Sequence, residues 1–156
     1  MQDTSKKSAL LVVDVQNDFI SGSLALKNSP ACQDGEEVVQ VINNILDENI
    51  FDFVVYTMDW HPEDHCSFVT NVDKYPLHES SPVSAEDAKV FDKVIYDGEK
   101  PIEQVMWPPH CIQDSEGAEL HPELKVLNFQ FLFNTIKLWL SSSFFLGVSY
   151  RRQDPR

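Results

Sequence analysis

The chain has 156 residues, 42% of them hydrophobic, which suffices for one hydrophobic core and predicts a single domain. A formal net charge of -13 excludes binding to a nucleic-acid backbone or an anionic membrane, because both need clustered Lys and Arg. A small-molecule partner is therefore expected. Cys32, Cys66 and Cys111 are an odd count without paired spacing. The opening MQDTSKKSALLVVDVQNDF runs into a strand-like segment rather than an apolar leader, so a reducing, cytoplasmic setting is expected.

Ala9 to Val15, ALLVVDV, is a short apolar run closed by an acid, the pattern of a strand buried on both faces of a parallel sheet. Asp14 falls near its carboxyl end, where ligands bind in open α/β sheets, and is a candidate functional group or a cap of the next turn. Gln33 to Asn49 carries Val38, Val39, Val41, Ile42, Ile45 and Leu46 at helical spacing, with Asp34, Glu36 and Glu37 in the first turn. It predicts an amphipathic helix. Phe51 to Met58 is a second buried strand, completing a right-handed βαβ unit.

That second strand delivers Asp59 into TMDWHPEDHCSF, Thr57 to Phe68. Asp59 and His61 are two residues apart, so in extended backbone they point to one side, and a turn at Pro62 folds His65 back toward them. His110, after the rigid Pro108-Pro109 pair in WPPHCIQ, is the fourth candidate ligand. One carboxylate and three imidazoles suit a divalent ion such as zinc, iron or manganese. A solvated polar loop is the alternative reading of HPEDH. His78 and His121 lack ligand spacing and read as surface histidines. Phe19 and Trp107 stand beside these motifs as apolar walls for a flat aromatic ligand, or as core. The segment 61–82 reads as loop and Ala85 to Phe91 as a short helix.

From Leu127 to Tyr150 the chain turns aromatic and nearly uncharged. It approaches the roughly 20 apolar residues of a membrane helix, yet Asn128, Gln130, Asn134, Lys137 and three serines oppose that reading, and no membrane association is expected.

Three ordered motifs, VVDVQNDF (Val12 to Phe19), TMDWHPEDHCSF and WPPHCIQDSEGAELHP (Trp107 to Pro122), resemble the nicotinamidase/pyrazinamidase branch of the isochorismatase-like hydrolases over residues 8–126. The resemblance implies an α/β fold with a mostly parallel sheet and flanking helices, a Rossmann-like three-layer arrangement, incomplete at the C-terminal end. It implies hydrolysis of nicotinamide to nicotinic acid and ammonia in NAD salvage, and possible homo-oligomers. Asp14 matches the family's catalytic acid. Asp59, His61, His65 and His110 match its metal ligands, and Phe19 and Trp107 match positions flanking the pyridine ring. In that family a cysteine thiolate attacks the amide carbonyl, helped by the acid and a lysine, a covalent route that needs an activated thiol.

The match stops near Val126, before the positions where the family keeps that lysine and cysteine. Cys66 and Cys111 lie in the His65 and His110 motifs and Cys32 in an early loop, none of them the family's nucleophile position. Lys137, in NTIKLWL, lacks the glycine that usually follows the family's lysine. Residues 127–156 read as a divergent apolar tail joined to a nicotinamidase front half, as from an alternative or misread transcript. Transcript sequencing that found these codons to be the gene's only ordinarily spliced end would remove that reading. Two functions follow: a metal-assisted amidohydrolase, or a catalytically inactive metal- or ligand-binding form. A cysteine-free hydrolysis with Asp14 as base ranks behind both.

Overall fold

The computed structural model describes residues 7–127 and 144–149. Strand β1 (Ala9–Val13) is followed by a one-turn helix α1 (Asn17–Ile20), helix α2 (Glu37–Glu48) and strand β2 (Phe53–Asp59). β1 and β2 pair in parallel from Ala9 opposite Phe53 to Val13 opposite Thr57, as the βαβ pattern requires. α2 ends at Asn49, whose φ of 53° is the left-handed cap that asparagine tolerates, its N–H returning to the Leu46 carbonyl.

The helix lays Val39 and Leu46 on the sheet against Val12, Val54 and Tyr56, with Val15, Ile20 and Leu124 completing this core. β1 departs from expectation on its other face. Leu11 and Val13 are 60% and 58% exposed, whereas Val12 between them is 2% exposed. Alternation puts neighbouring side chains on opposite faces, and among the described residues a helix covers only the Val12 side. The backbone of strand β5 (Phe144–Ser149) joins the sheet antiparallel to β2, with Asp59 opposite Phe144. Lys137 and most of the Leu127 to Tyr150 stretch lie outside the described residues. Among the described residues no helix is long and apolar enough to cross a membrane.

The middle of the chain forms a second, smaller core of Val72, Val94 and Met106, built under the antiparallel hairpin β3 (Lys93–Tyr96) and β4 (Ile102–Val105). Asp97-Gly98 between the strands is a hairpin signal. The segment read as loop contains a 3-10 helix, Val69–Lys74. The helix expected over Ala85 to Phe91 stops after a single turn. Ala88 N–H reaches the Ser84 carbonyl, but the next donor, Lys89 N–H, is taken by the Asp92 carboxylate, so the ladder cannot propagate.

Candidate metal centre

β2 runs two residues past the end of its pairing with β1, carrying Met58 and Asp59 beyond Val13. There the chain meets the WPPHCIQ segment. His61 N–H donates to the Cys111 carbonyl at 2.9 Å and Gln113 N–H returns to the His61 carbonyl at 2.8 Å. A second short parallel bridge pairs Phe68 with Trp107. These two stitches bring motifs about fifty residues apart into one cluster.

Three of the four expected ligands converge there. Ligand atoms of Asp59, His61 and His110 all lie within 4.8 Å of one another, and all three residues are buried. The Asp59 carboxylate is the hub, with Oδ2 2.9 Å from His61 Nε2 and 3.3 Å from His110 Nε2. His65 stands beside this triangle rather than in it. Its N–H bonds back to the Pro62 carbonyl, the turn expected at Pro62, and its ring lies 4.3 Å, centroid to centroid, from that of His61. His65 Nδ1 is occupied by the Ser67 hydroxyl at 2.7 Å, which leaves Nε2 as its ligand atom. His110 is oriented likewise: Nδ1 faces the Pro108 carbonyl at 2.7 Å and holds Nε2 toward Asp59. His61 Nδ1 is buried without a hydrogen-bond partner, a cost of roughly 1–3 kcal/mol.

Asp59 and His65 are held in the protonation states that ligands need, since a ligating carboxylate must be ionised and a ligating imidazole neutral. Burial alone would raise the Asp59 carboxyl, but hydrogen bonds from His110 and His61 outweigh it and hold it down to about 2. Burial, helped by the neighbouring His61, depresses His65 to about 4. His110 is raised instead: burial acts to lower it, and the Asp59 and Pro108 acceptors overcome that. The donor set and its orientation fit a divalent cation, which would take the place of the proton that Asp59 favours on His110.

Asp14 sits just past β1 at a φ of 51°, half-buried, where the chain turns away from the sheet. It does not cap α1: its Oδ1 accepts the Thr57 hydroxyl at 2.6 Å. Burial raises its carboxyl above the usual range despite that hydrogen bond, and the Asp59 charge adds to the rise. Phe19 and Trp107 both lie against His110, with ring centroids at 5.7 and 6.4 Å, so the two aromatic candidates flank the cluster. His78 and His121 are outside it, half-buried rather than exposed. The Nδ1 of each serves a turn, beside the Ser80 hydroxyl and as acceptor for Glu123 N–H.

Three residues not singled out from the sequence build the site. Phe68, 0% exposed, forms its floor, with centroids 5.4, 5.7 and 5.4 Å from His61, His65 and His110. Asp18 ties α1 to the His110 loop, its carboxylate accepting Cys111 N–H at 2.7 Å and Ser23 N–H at 3.0 Å. That contact holds Cys111 at a φ of 46°. Gln16, also 0% exposed, bonds to the backbone of Asp59. The hydrophobic pattern gave no signal for Gln16 or Asp18, since both act on residues distant in the chain.

The thiols differ sharply from the histidines. Cys111 is 0% exposed, and burial with the charges of Asp59, Asp18 and Asp14 pushes its thiol far up. Burial raises the Cys66 thiol as well. Cys32 is exposed in the early loop, its thiol against the Ser29 carbonyl.

No protein-family model matches the chain. Among curated proteins it is 36% identical to a nicotinamidase of Escherichia coli over 118 residues, covering 74% of this chain and 45% of that protein. It is 35% identical to a nicotinamidase of Acinetobacter baylyi over 127 residues, covering 80% and 47%. The chain thus spans about half the length of the curated relatives it matches. Solved structures agree. An Acinetobacter baumanii nicotinamidase superposes with a TM-score of 0.54 at 34% identity, covering 80% of this chain and 49% of that one. The yeast nicotinamidase bound to the inhibitor nicotinaldehyde superposes with a TM-score of 0.53 at 30% identity, covering 74% and 49%. With its ordered motifs, its parallel βαβ start and its carboxylate-histidine cluster, the chain is similar to the nicotinamidases over most of its own length and about half of theirs.

Proposed function

We propose that this chain is a nicotinamidase-type amidohydrolase that converts nicotinamide to nicotinic acid and ammonia, in NAD salvage and in the cytoplasm. Residues 8–126 are the N-terminal part of the catalytic domain and 127–156 a divergent tail. One observation carries the proposal: buried ligand atoms of Asp59, His61 and His110 within 4.8 Å, flanked by Phe19 and Trp107, in a chain 36% identical to a nicotinamidase. The nicotinaldehyde complex of the yeast relative supports a pyridine carboxamide as the ligand class.

In this reading Asp59, His61, His65 and His110 hold a divalent ion, with zinc, iron and manganese all suited to the donor set. When bound, the ion supplies Lewis-acid polarisation beside the substrate. Phe19 and Trp107 flank the pyridine ring as apolar walls and exclude water from it. Asp14 moves the proton. Its raised carboxyl keeps an exchangeable proton nearer neutrality than a solvated Asp would, and the Thr57 hydroxyl on Oδ1 orients it. Ammonia release from nicotinamide by the full chain with metal supplied is the test, and absence of turnover refutes the activity. Homo-oligomer formation belongs to the same proposal, and a monomer at every concentration in the ultracentrifuge would remove it.

A second reading has its own observation. The Cys111 and Cys66 thiols are raised by burial, so neither offers the thiolate that covalent amide hydrolysis needs. This favours a form that binds metal and ligand without turnover. Calorimetric titration showing metal uptake by a chain that releases no ammonia would establish it.

A further inference from the structure

We infer that Gln16 is a positioning residue for the metal centre, its buried carboxamide clamping both peptide groups of Asp59 and so aiming that carboxylate at His61 and His110. The inference rests on the proposed metal site.

The need for such a clamp follows from how the two strands end. Their ladder closes with Asp14 N–H on the Thr57 carbonyl at 3.2 Å, after which the left-handed turn at Asp14 carries the backbone away. β2 continues to Asp59 without β1 beside it. The Gln16 side chain fills the vacated place. Its Oε1 accepts Asp59 N–H at 2.7 Å and its Nε2 donates to the Asp59 carbonyl at 2.8 Å, as a neighbouring strand's peptide would. The second Nε2 hydrogen goes to the Ala118 carbonyl at 2.7 Å, so the same amide grips the segment that follows His110.

Gln16 is itself held. Its backbone bridges Leu120, with Asn17 N–H on the Glu119 carbonyl and His121 N–H on the Val15 carbonyl, at 3.0 and 2.9 Å. Fixing the two peptides on either side of the Asp59 Cα fixes the direction of its Cβ. From there the carboxylate has only two torsions with which to meet two imidazoles at 2.9 and 3.3 Å. Only glutamine supplies one acceptor and two donors at this reach; Glu keeps the acceptor and loses both donors, and Met keeps the shape alone.

A purely structural amide makes a different prediction, and the fold contains one for comparison. Asn43 on α2 is also buried, with Oδ1 accepting Lys125 N–H and Nδ2 donating to the Glu123 carbonyl, both at 2.8 Å, but it does not bond to any of the four ligands. The experiment titrates Co2+ into the full chain and three variants by calorimetry, records the visible spectrum of each loaded protein, and measures each thermal midpoint with chelator present. Gln16→Met and Gln16→Glu are expected to weaken Co2+ binding by about 10–100-fold, the range for residues that orient ligands, and to shift the visible band. Asn43→Leu is expected to lower the midpoint while leaving affinity and spectrum unchanged.

Wild-type affinity and band in a folded Gln16 variant overturn the inference, as does an Asn43→Leu loss of affinity equal to theirs. If Gln16→Met does not fold, the near-isosteric Gln16→Glu decides. Failure of the wild type itself to take up Co2+ overturns the metal reading and this inference together. The two failures are thereby distinguished.

Discussion

Asp59, at the end of β2, and Cys111, in the His110 loop, belong to the same cluster and are both buried, yet their surroundings drive them to opposite protonation states. Asp59 faces two ring nitrogens that favour its anion. Cys111 has its backbone tied to Asp18 and its thiol buried, and that burial, with the charges of Asp59, Asp18 and Asp14, opposes a second anion. At Cys111 the acids beside the cation site add to burial in opposing a thiolate, while the same site favours the Asp59 anion. Asp59 is held as the anion a cation needs, and the Cys66 and Cys111 thiols are held away from the thiolate.

The hardest way to break this contrast is to remove a ligand. His61→Ala is expected to weaken metal binding by more than about 100-fold, beyond the usual effect of outer partners, as read by calorimetry. Retained affinity would mean that the triangle is a buried hydrogen-bond cluster and nothing more. In a preparation that turns over nicotinamide, Asp14→Asn should cost about 10²–10⁴ in kcat with metal affinity unchanged, the range for a lost acid/base group. A loss confined to KM would move Asp14 out of the proton-transfer role.

Cys111→Ala tests the other side. It should leave ammonia release within about twofold of wild type and lower stability by about 1 kcal/mol, that of a small buried hydrophobe. Loss of turnover with the metal retained would make Cys111 the nucleophile after all. Iodoacetamide at mild alkaline pH should label exposed Cys32 and spare Cys111 in the folded chain.

The smallest effect concerns pH. Because the folded-state carboxyl of Asp14 is raised above its unfolded value of 3.8, ionising it is costlier in the fold. Its contribution is therefore absent well below 3.8 and becomes destabilising as pH rises through the folded value. The thermal midpoint of Asp14→Asn should gain on wild type over that rise, and parallel pH curves would show that the carboxyl is not perturbed.

Much of this was legible locally. The run ALLVVDV, the helical spacing of Val39 and Leu46, and FDFVVYTM dictate strand, helix and strand, and short apolar strands split by an amphipathic helix pack in parallel. Asp59 and His61 fall on one side because alternate residues of extended backbone do. The hairpin β3-β4 had a readable Asp97-Gly98 signal that the surrounding polar residues obscured. The half-bare face of β1 was not readable, since an apolar run does not state which of its faces will be covered.

By itself, then, the sequence determined the βαβ start, the identity of the four candidate ligands and the chemistry they favour, because these depend on residue type and on spacing within a few positions. Only the tertiary structure decided that Asp59, His61 and His110 form the triangle while His65 stands beside it, that Phe68 floors the site, and that Cys111 is silenced. Gln16 is the clearest case. Its partners Asp59 and Ala118 lie 43 and 102 residues away, and hydrogen bonds that close over such distances exist only once the strands have set where each end of the chain meets the other.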